Sequence, residues 1–209
     1  MTLASRPRWI VAAVAVVGLC AGGAGASAAG RPPSCQAAKS KTVHQNSLAR
    51  VFARPSATAG TQLVSCWRKT GRRRVLAAGD GAQGGARLVR LAGRYAAFYD
   101  EASESCGRNC ASRNQTRQIT RVDLRSGKRV VTVVRMVPAR LLLNAHGEMA
   151  WVQQPAGDAV ELLAYDAKRD HLVDAGAIAP ASVRLEAGGR LRWANAGVPR
   201  SAQLSRSGG

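Results

Sequence analysis

A chain of 209 residues with 31 Lys and Arg against 12 Asp and Glu carries a formal net charge of +19. That length gives one domain with a core and little room for a second. Such an excess of cations directs attention to anionic partners.

At the N-terminus, Arg6 and Arg8 precede the apolar run Ile10 to Cys20, and small residues follow through Ala29. A positive start, a short apolar stretch and the small-residue pattern Ala26-Ser27-Ala28 predict a signal peptide over residues 1–28, cleaved after Ala28, and an extracytoplasmic protein. An N-terminal membrane anchor is the alternative, but the run barely reaches the roughly 20 apolar residues that span a bilayer. Two of the cations lie in this region, so residues 29–209 keep a net +17.

Beyond it, the even set Cys35, Cys66, Cys106 and Cys110 predicts two disulfides in an exported chain. Three pairings are open; Cys35 with Cys66 and Cys106 with Cys110 is favoured, because the second pair falls within one short insertion. The first bridge would tie an N-terminal segment, residues 29–41, to the fold. Cys106-Gly107-Arg108-Asn109-Cys110 reads as a staple of a hairpin tip rather than a redox or metal pair, since no further soft ligand lies near in sequence.

Short runs with strand character then follow at residues 48–54, 62–67, 86–91, 95–99, 118–124, 129–134, 140–143, 149–153, 160–165, 182–185 and 191–193. No segment has the pattern of a helix of three turns. Gly, Asn and Asp cluster between the runs, as at Gly79-Asp80-Gly81, Asn144-Ala145-His146-Gly147 and Ala156-Gly157-Asp158, where hairpins need positive φ. The predicted class is all-β.

Two landmarks recur along residues 42–204. Gly93-Arg94-Tyr95-Ala96-Ala97-Phe98, Gly147-Glu148-Met149-Ala150-Trp151 and Gly189-Arg190-Leu191-Arg192-Trp193 each put a glycine turn before a strand ending in an aromatic, at spacings of 54 and 42 residues. Trp67-Arg68-Lys69-Thr70-Gly71-Arg72, Asp123-Leu124-Arg125-Ser126-Gly127-Lys128 and Asp166-Ala167-Lys168-Arg169-Asp170-His171 mark a second turn in each unit. The longer spacing reflects an insertion at about residues 101–116. Each unit is expected to be an antiparallel β-meander, near the period of four-stranded propeller blades. Residues 205–209 form a tail.

These units resemble the blades of secreted bacterial propellers of the TolB kind, in which a turn like Asp123 to Lys128 links the outer strands of a blade. They are also similar to uncharacterised exported proteins of high-GC bacteria that share the Asp-Leu-Arg-Ser-Gly turn and a Trp near the C-terminus, here Trp193. The resemblance implies a partial or small propeller-like fold and no particular activity. Three units and a truncated fourth allow a small or partial propeller, a compact stack of sheets, or a half-ring completed as a homodimer.

Arg supplies 26 of the cations. Arg68, Lys69, Arg72, Arg73 and Arg74 cluster at one turn, and Arg121, Arg125, Lys128 and Arg129 at the equivalent turn of the next unit; stacked units would set them side by side on one rim. Such a rim suits an anionic polymer or an anionic membrane surface. The alternative is a solvated, Arg-rich surface without a partner. Sequence-specific nucleic-acid binding is disfavoured: no helix-turn-helix or zinc finger appears, and of the aromatics only Trp67 sits among basic residues, while Tyr95, Phe98, Tyr99, Trp151, Tyr165 and Trp193 take core positions. No catalytic motif is present. His44, His146 and His171 lie far apart near turns, and Asp123 and Asp166 suit backbone capping. No cofactor or metal is implied, and Asn114-Gln115-Thr116 is a glycosylation pattern a bacterial source leaves unread. The expected function is a non-catalytic binding or scaffold module, with a protein partner at the disulfide loop or a sheet edge as the alternative and a hydrolase as the third.

Overall fold

The computed structural model describes residues 35–58, 60–79, 86–103, 115–155, 157, 159–167 and 169–206. The predicted signal peptide, the Cys106–Cys110 pair, Asn114 and the turn at Asp80-Gly81 lie outside them.

Alternating side chains and tight turns fold the chain into four antiparallel meanders. Sheet 1 holds β1 (Lys41–Gln45), β2 (Ala49–Ser56), β3 (Gly60–Trp67) and β4 (Arg72–Gly79); sheet 2 holds β5 (Arg87–Ala92), β6 (Tyr95–Ser103), β7 (Gln115–Asp123) and β8 (Arg129–Val133). Sheet 3 is built from β9 (Arg140–Leu143), β10 (Met149–Gln153), β11 (Val160–Tyr165) and β12 (Asp170–Gly176). After a 3-10 turn at Pro180–Ser182, β13 (Arg184–Leu185), β14 (Arg190–Asn195) and β15 (Val198–Gln203) make sheet 4. The all-β class and the repeated meander are therefore as the pattern predicts. Four strands were not legible: β1, β4, β12 and β15 run along sheet edges, where polar or exposed residues break the apolar alternation. The predicted strand at 182–185 begins one turn late, because Pro180 opens a 3-10 turn there.

The period of two in a strand explains how the sheets stack. In β6, Ala96 and Phe98 face sheet 1, where they pack with Val51 and Leu63, while Ala97 and Tyr99 face sheet 3, with Met149 and Trp151. β10 repeats the division: Met149 and Trp151 turn back to sheet 2, and Ala150 and Val152 meet Leu191 and Trp193 of sheet 4. Each repeat aromatic, Phe98, Trp151 or Trp193, thus packs against the preceding sheet. Sheets follow in chain order, with β1 approaching β5, β5 approaching β9 and β9 approaching β13. No apolar cluster among the described residues joins sheet 4 to sheet 1, so these residues form a row rather than a closed ring.

The two ends of the row are finished differently. On sheet 1, Phe52, Val64 and Cys66 are buried under Cys35 and Ala37, and the Cys35–Cys66 disulfide, of the favoured pairing, holds that strap in place. Arg50 lies over the Phe52 ring at 4.8 Å and donates to the Cys35 carbonyl at 2.8 Å. At the other end, β14 buries Leu191 and Trp193 on one face and exposes Arg190 and Arg192 on the other.

The repeated glycine has two duties. Gly147 (φ +85°) turns the chain before β10, and a Cβ there would sit 3.1 Å from the Tyr95 ring. Gly189 (φ +83°) does the same before β14, where a Cβ would come within 2.5 Å of a Glu148 carboxyl oxygen. Asn46 and Asn144 then link successive turns: Asn46 Nδ2 donates to the Gly93 carbonyl at 2.9 Å, and Asn144 Nδ2 to the Glu186 carbonyl at 3.4 Å.

Candidate functional site

The first basic cluster begins at the β3–β4 turn and runs into β4; the second surrounds the β7–β8 turn. Asp123 shapes the latter: its Oδ1 accepts the backbone N–H groups of Arg125 (2.9 Å) and Ser126 (3.3 Å), and its Oδ2 lies 3.3 Å from Arg94 Nε. That is the capping role expected of it. Arg94 is held further by the Tyr95 hydroxyl at 2.8 Å, and that bond, ahead of the nearby Asp123 charge and against partial burial, raises its pKa. Neither the sequence pattern nor the turn motif singled out Arg94; its place directly after the repeat glycine was the available signal.

The two clusters meet. Arg74 donates to the Ser126 carbonyl at 2.9 Å, and Arg129 returns a bond to the Val75 carbonyl at 2.6 Å, so β4 and the β7–β8 turn are clasped by arginines from both sides. Arg73 reaches the strap through the Gln36 carbonyl at 2.7 Å. Arg68 bonds the β1–β2 turn, at the Asn46 carbonyl (3.0 Å) and Gln45 Oε1 (3.1 Å). Arg68, Arg74 and Arg129 bind neutral carbonyl or amide oxygens, so their positive charge is not cancelled.

Arg121 does not belong to the rim. It projects to the opposite side of β7, where it donates to the Gly147 carbonyl and stands 5.6 Å from the Tyr95 ring and 4.9 Å from the Tyr165 ring. The reason is the strand period: Val122 faces sheet 1, so Arg121 must face sheet 3. This corrects its predicted place beside Arg125. Lys69, Arg72, Arg125 and Lys128 remain. All four are exposed, and none has its side-chain cation bonded to a described residue.

Carboxylates are scarce nearby. Among the described residues the ion pairs are Arg94–Asp123, Arg192–Glu186 and Arg200–Asp174, and none neutralises a rim cation. Such an arrangement can hold an extended anion: four free cations lie on a base of four more that are fixed in direction by their carbonyl bonds.

The histidines do not converge. His146 is exposed in the β9–β10 turn, and His171 at the start of β12 has its Nδ1 3.4 Å from the Arg169 carbonyl. Asp166 is buried and caps a chain end, its Oδ2 accepting the Ser205 N–H at 3.1 Å. Among the described residues no three His, Cys, Asp or Glu side chains are grouped to hold a metal ion.

The fold and rim define a class, an all-β row of antiparallel meanders with a basic turn surface. No family model matches the chain, and neither a curated protein nor a solved structure does.

Proposed function

We propose that the chain is an exported, non-catalytic binding module that holds an anionic cell-envelope polymer or membrane surface against the rim formed by sheets 1 and 2, and that its meanders are propeller-type blades left in an open row. The observation that supports this is the meeting of the two turns: charge alone would be spread over the surface, whereas the Arg74 and Arg129 clasp brings Lys69, Arg72, Arg125 and Lys128 onto one edge. The pairing of export with a disulfide at Cys35–Cys66 is consistent with an oxidising compartment.

The test is retention of the intact chain on immobilised heparin, DNA, anionic liposomes and cell-wall polymer across a salt series. Selective retention on one polymer at physiological salt, lost in the Lys69→Glu, Arg72→Glu, Arg125→Glu variant, supports the reading. Equal, weak retention on all four contradicts it. Arg73 and Arg74 are unsuitable targets, since each also holds the fold together.

A second reading, a protein partner, is favoured by one observation. On the edge strand β8, Val131 and Val133 are 52% and 69% exposed, an apolar row open to an added strand. Crosslinking from these positions to a cellular protein, with no polymer retained, would favour it over the rim.

A further inference from the structure

The rim is the start of a longer edge. In an antiparallel meander the first and third turns fall at the same end, so the β1–β2 and β3–β4 turns share one edge of sheet 1, as do the corresponding turns of sheets 2 and 3. Bonds between these turns set that edge on the same side of every sheet. Sheet 1 meets sheet 2 there through Arg74 at the Ser126 carbonyl and Asn46 at the Gly93 carbonyl. Sheet 2 meets sheet 3 through Arg121, which donates to the Gly147 carbonyl and faces the Tyr165 ring at the end of β11. Sheet 3 meets sheet 4 where the chain leaves β15: the Ala167 N–H donates to the Ser205 carbonyl at 3.1 Å, and the Ser205 N–H to Asp166 Oδ2 at 3.1 Å. The residues after β15 therefore lie against the β11–β12 turn.

Charge follows this edge to its far end. Arg169 in the β11–β12 turn, Arg190 at the start of β14 and Arg206 directly after Ser205 are exposed, and none has its guanidinium bonded to a described residue. The carboxylates here are mostly committed. Asp123 and Glu186 stand in ion pairs, and Glu148 and Asp166 are buried. Asp170, next to Arg169, is the one exposed carboxylate outside an ion pair among the described residues of this edge. The other described carboxylates, Asp100, Glu101, Glu161 and Asp174, occupy the halves of their strands away from it.

Stacked sheets lie about 10 Å apart, so cations on four successive sheets span about 30 Å. A small anion would meet the cations of one sheet and leave the rest unused. A flat membrane would gain little, since among the described residues Leu48 is the one large apolar side chain exposed at these turns. A chain of repeating negative charges fits the whole edge.

We infer that a linear polyanion lies lengthwise along this edge, crossing all four sheets and engaging Arg169, Arg190 and Arg206 as well as the rim. The inference rests on the rim reading and narrows it: the partner is a chain long enough to cross the row.

Linear polyphosphate graded by extended length, from about 10 to about 60 Å, is the probe, titrated into the intact chain over a salt series. Affinity should rise steeply with length up to about 30 Å and then level off to the slow gain that extra binding registers give. The Arg169→Gln, Arg190→Gln, Arg206→Gln variant should bind the shortest fragments as the wild type does, which also shows that it is folded. It should bind the chains that cross the row about tenfold or more weakly, with a slope of log affinity against log salt shallower by about 2, the share of three lost cations. If this variant matches the wild type at every length while Lys69→Glu, Arg72→Glu, Arg125→Glu abolishes binding, the inference falls and the rim reading stands. If no fragment binds, both fall. Equal affinity for the shortest fragments and for those that cross the row would also overturn the inference.

Discussion

Asp174 illustrates how much one side chain organises. Its Oδ2 accepts from Trp193 Nε1 at 2.6 Å and Asn195 Nδ2 at 3.0 Å and pairs with Arg200 at 3.2 Å, while its Oδ1 takes the Ala175 N–H at 2.9 Å. Desolvation raises its pKa, but the bonds from Asn195, Trp193 and Ala175, together with Arg200, outweigh that and hold it below the ordinary 3.8. A depressed carboxylate gives stability that is complete above its unfolded pKa and is lost as pH falls through the folded one. Melting curves should therefore show the wild type losing stability below about pH 4 and Asp174→Asn flatter across that window. Glu148 is the converse case. It is fully buried, and among the described residues its Oε2 accepts from Asn144, its Oε1 has no partner, and it takes part in no ion pair. Glu148→Gln keeps the Asn144 bond and removes a group able to carry an uncompensated charge, so unfolding by urea should show a gain of about 1 kcal/mol. A loss of stability would mean that the carboxyl has a partner among the remaining residues.

At the level of elements, the clasp between β4 and the β7–β8 turn depends on Gly127. Its φ is +85°, and a Cβ would lie 2.3 Å from the Arg74 guanidinium carbon. Gly127→Ala should cost about 1–2 kcal/mol, from the positive φ and from displacing Arg74. Combined with Arg74→Ala, the cost should fall short of the sum, because the displaced contact can be lost only once; strict additivity in a double-mutant cycle would contradict the clasp. How much of this was legible depended on burial. The central strands announced themselves: Tyr95-Ala96-Ala97-Phe98 and Met149-Ala150-Trp151-Val152 are continuous apolar runs because both of their faces are covered. Arg190-Leu191-Arg192-Trp193 alternates because one face of sheet 4 meets solvent, so the end of the row is also written in the chain. Edge strands were harder. Arg72 to Arg74 read as a basic turn, although the residues enter β4, since an exposed edge leaves no apolar period to detect. Of the rim, residue types and adjacency could be read, but not which cations were already engaged, because carbonyl partners 52 or 54 positions away leave no local trace. Gln153 closes a strand in which every residue is buried, and the partner such a polar side chain needs is Glu161 on the neighbouring strand, at 2.8 Å.

For the molecule as a whole, the row needs its first sheet closed. Phe52 and Val64 are covered by the strap that Cys35–Cys66 secures, a bridge spanning 31 residues. Opening it with a reductant, or with Cys35→Ser, should cost roughly 3–4 kcal/mol on the chain-entropy model and expose an apolar surface that binds a hydrophobic dye. The central claim is that charge at the rim is positioned, not merely abundant. It is tested most directly by comparing two charge reversals of equal size, Arg72→Glu, Arg125→Glu, Lys128→Glu on the rim and Arg87→Glu, Arg135→Glu, Arg184→Glu at the ends of β5, β8 and β13 far from these turns, all at exposed positions. Affinity for the retained polymer should be measured for each at one fixed ionic strength. The account predicts that the rim variant loses binding while the other keeps most of it. Equal losses in the two variants would show that net charge alone holds the polymer, and would contradict the account.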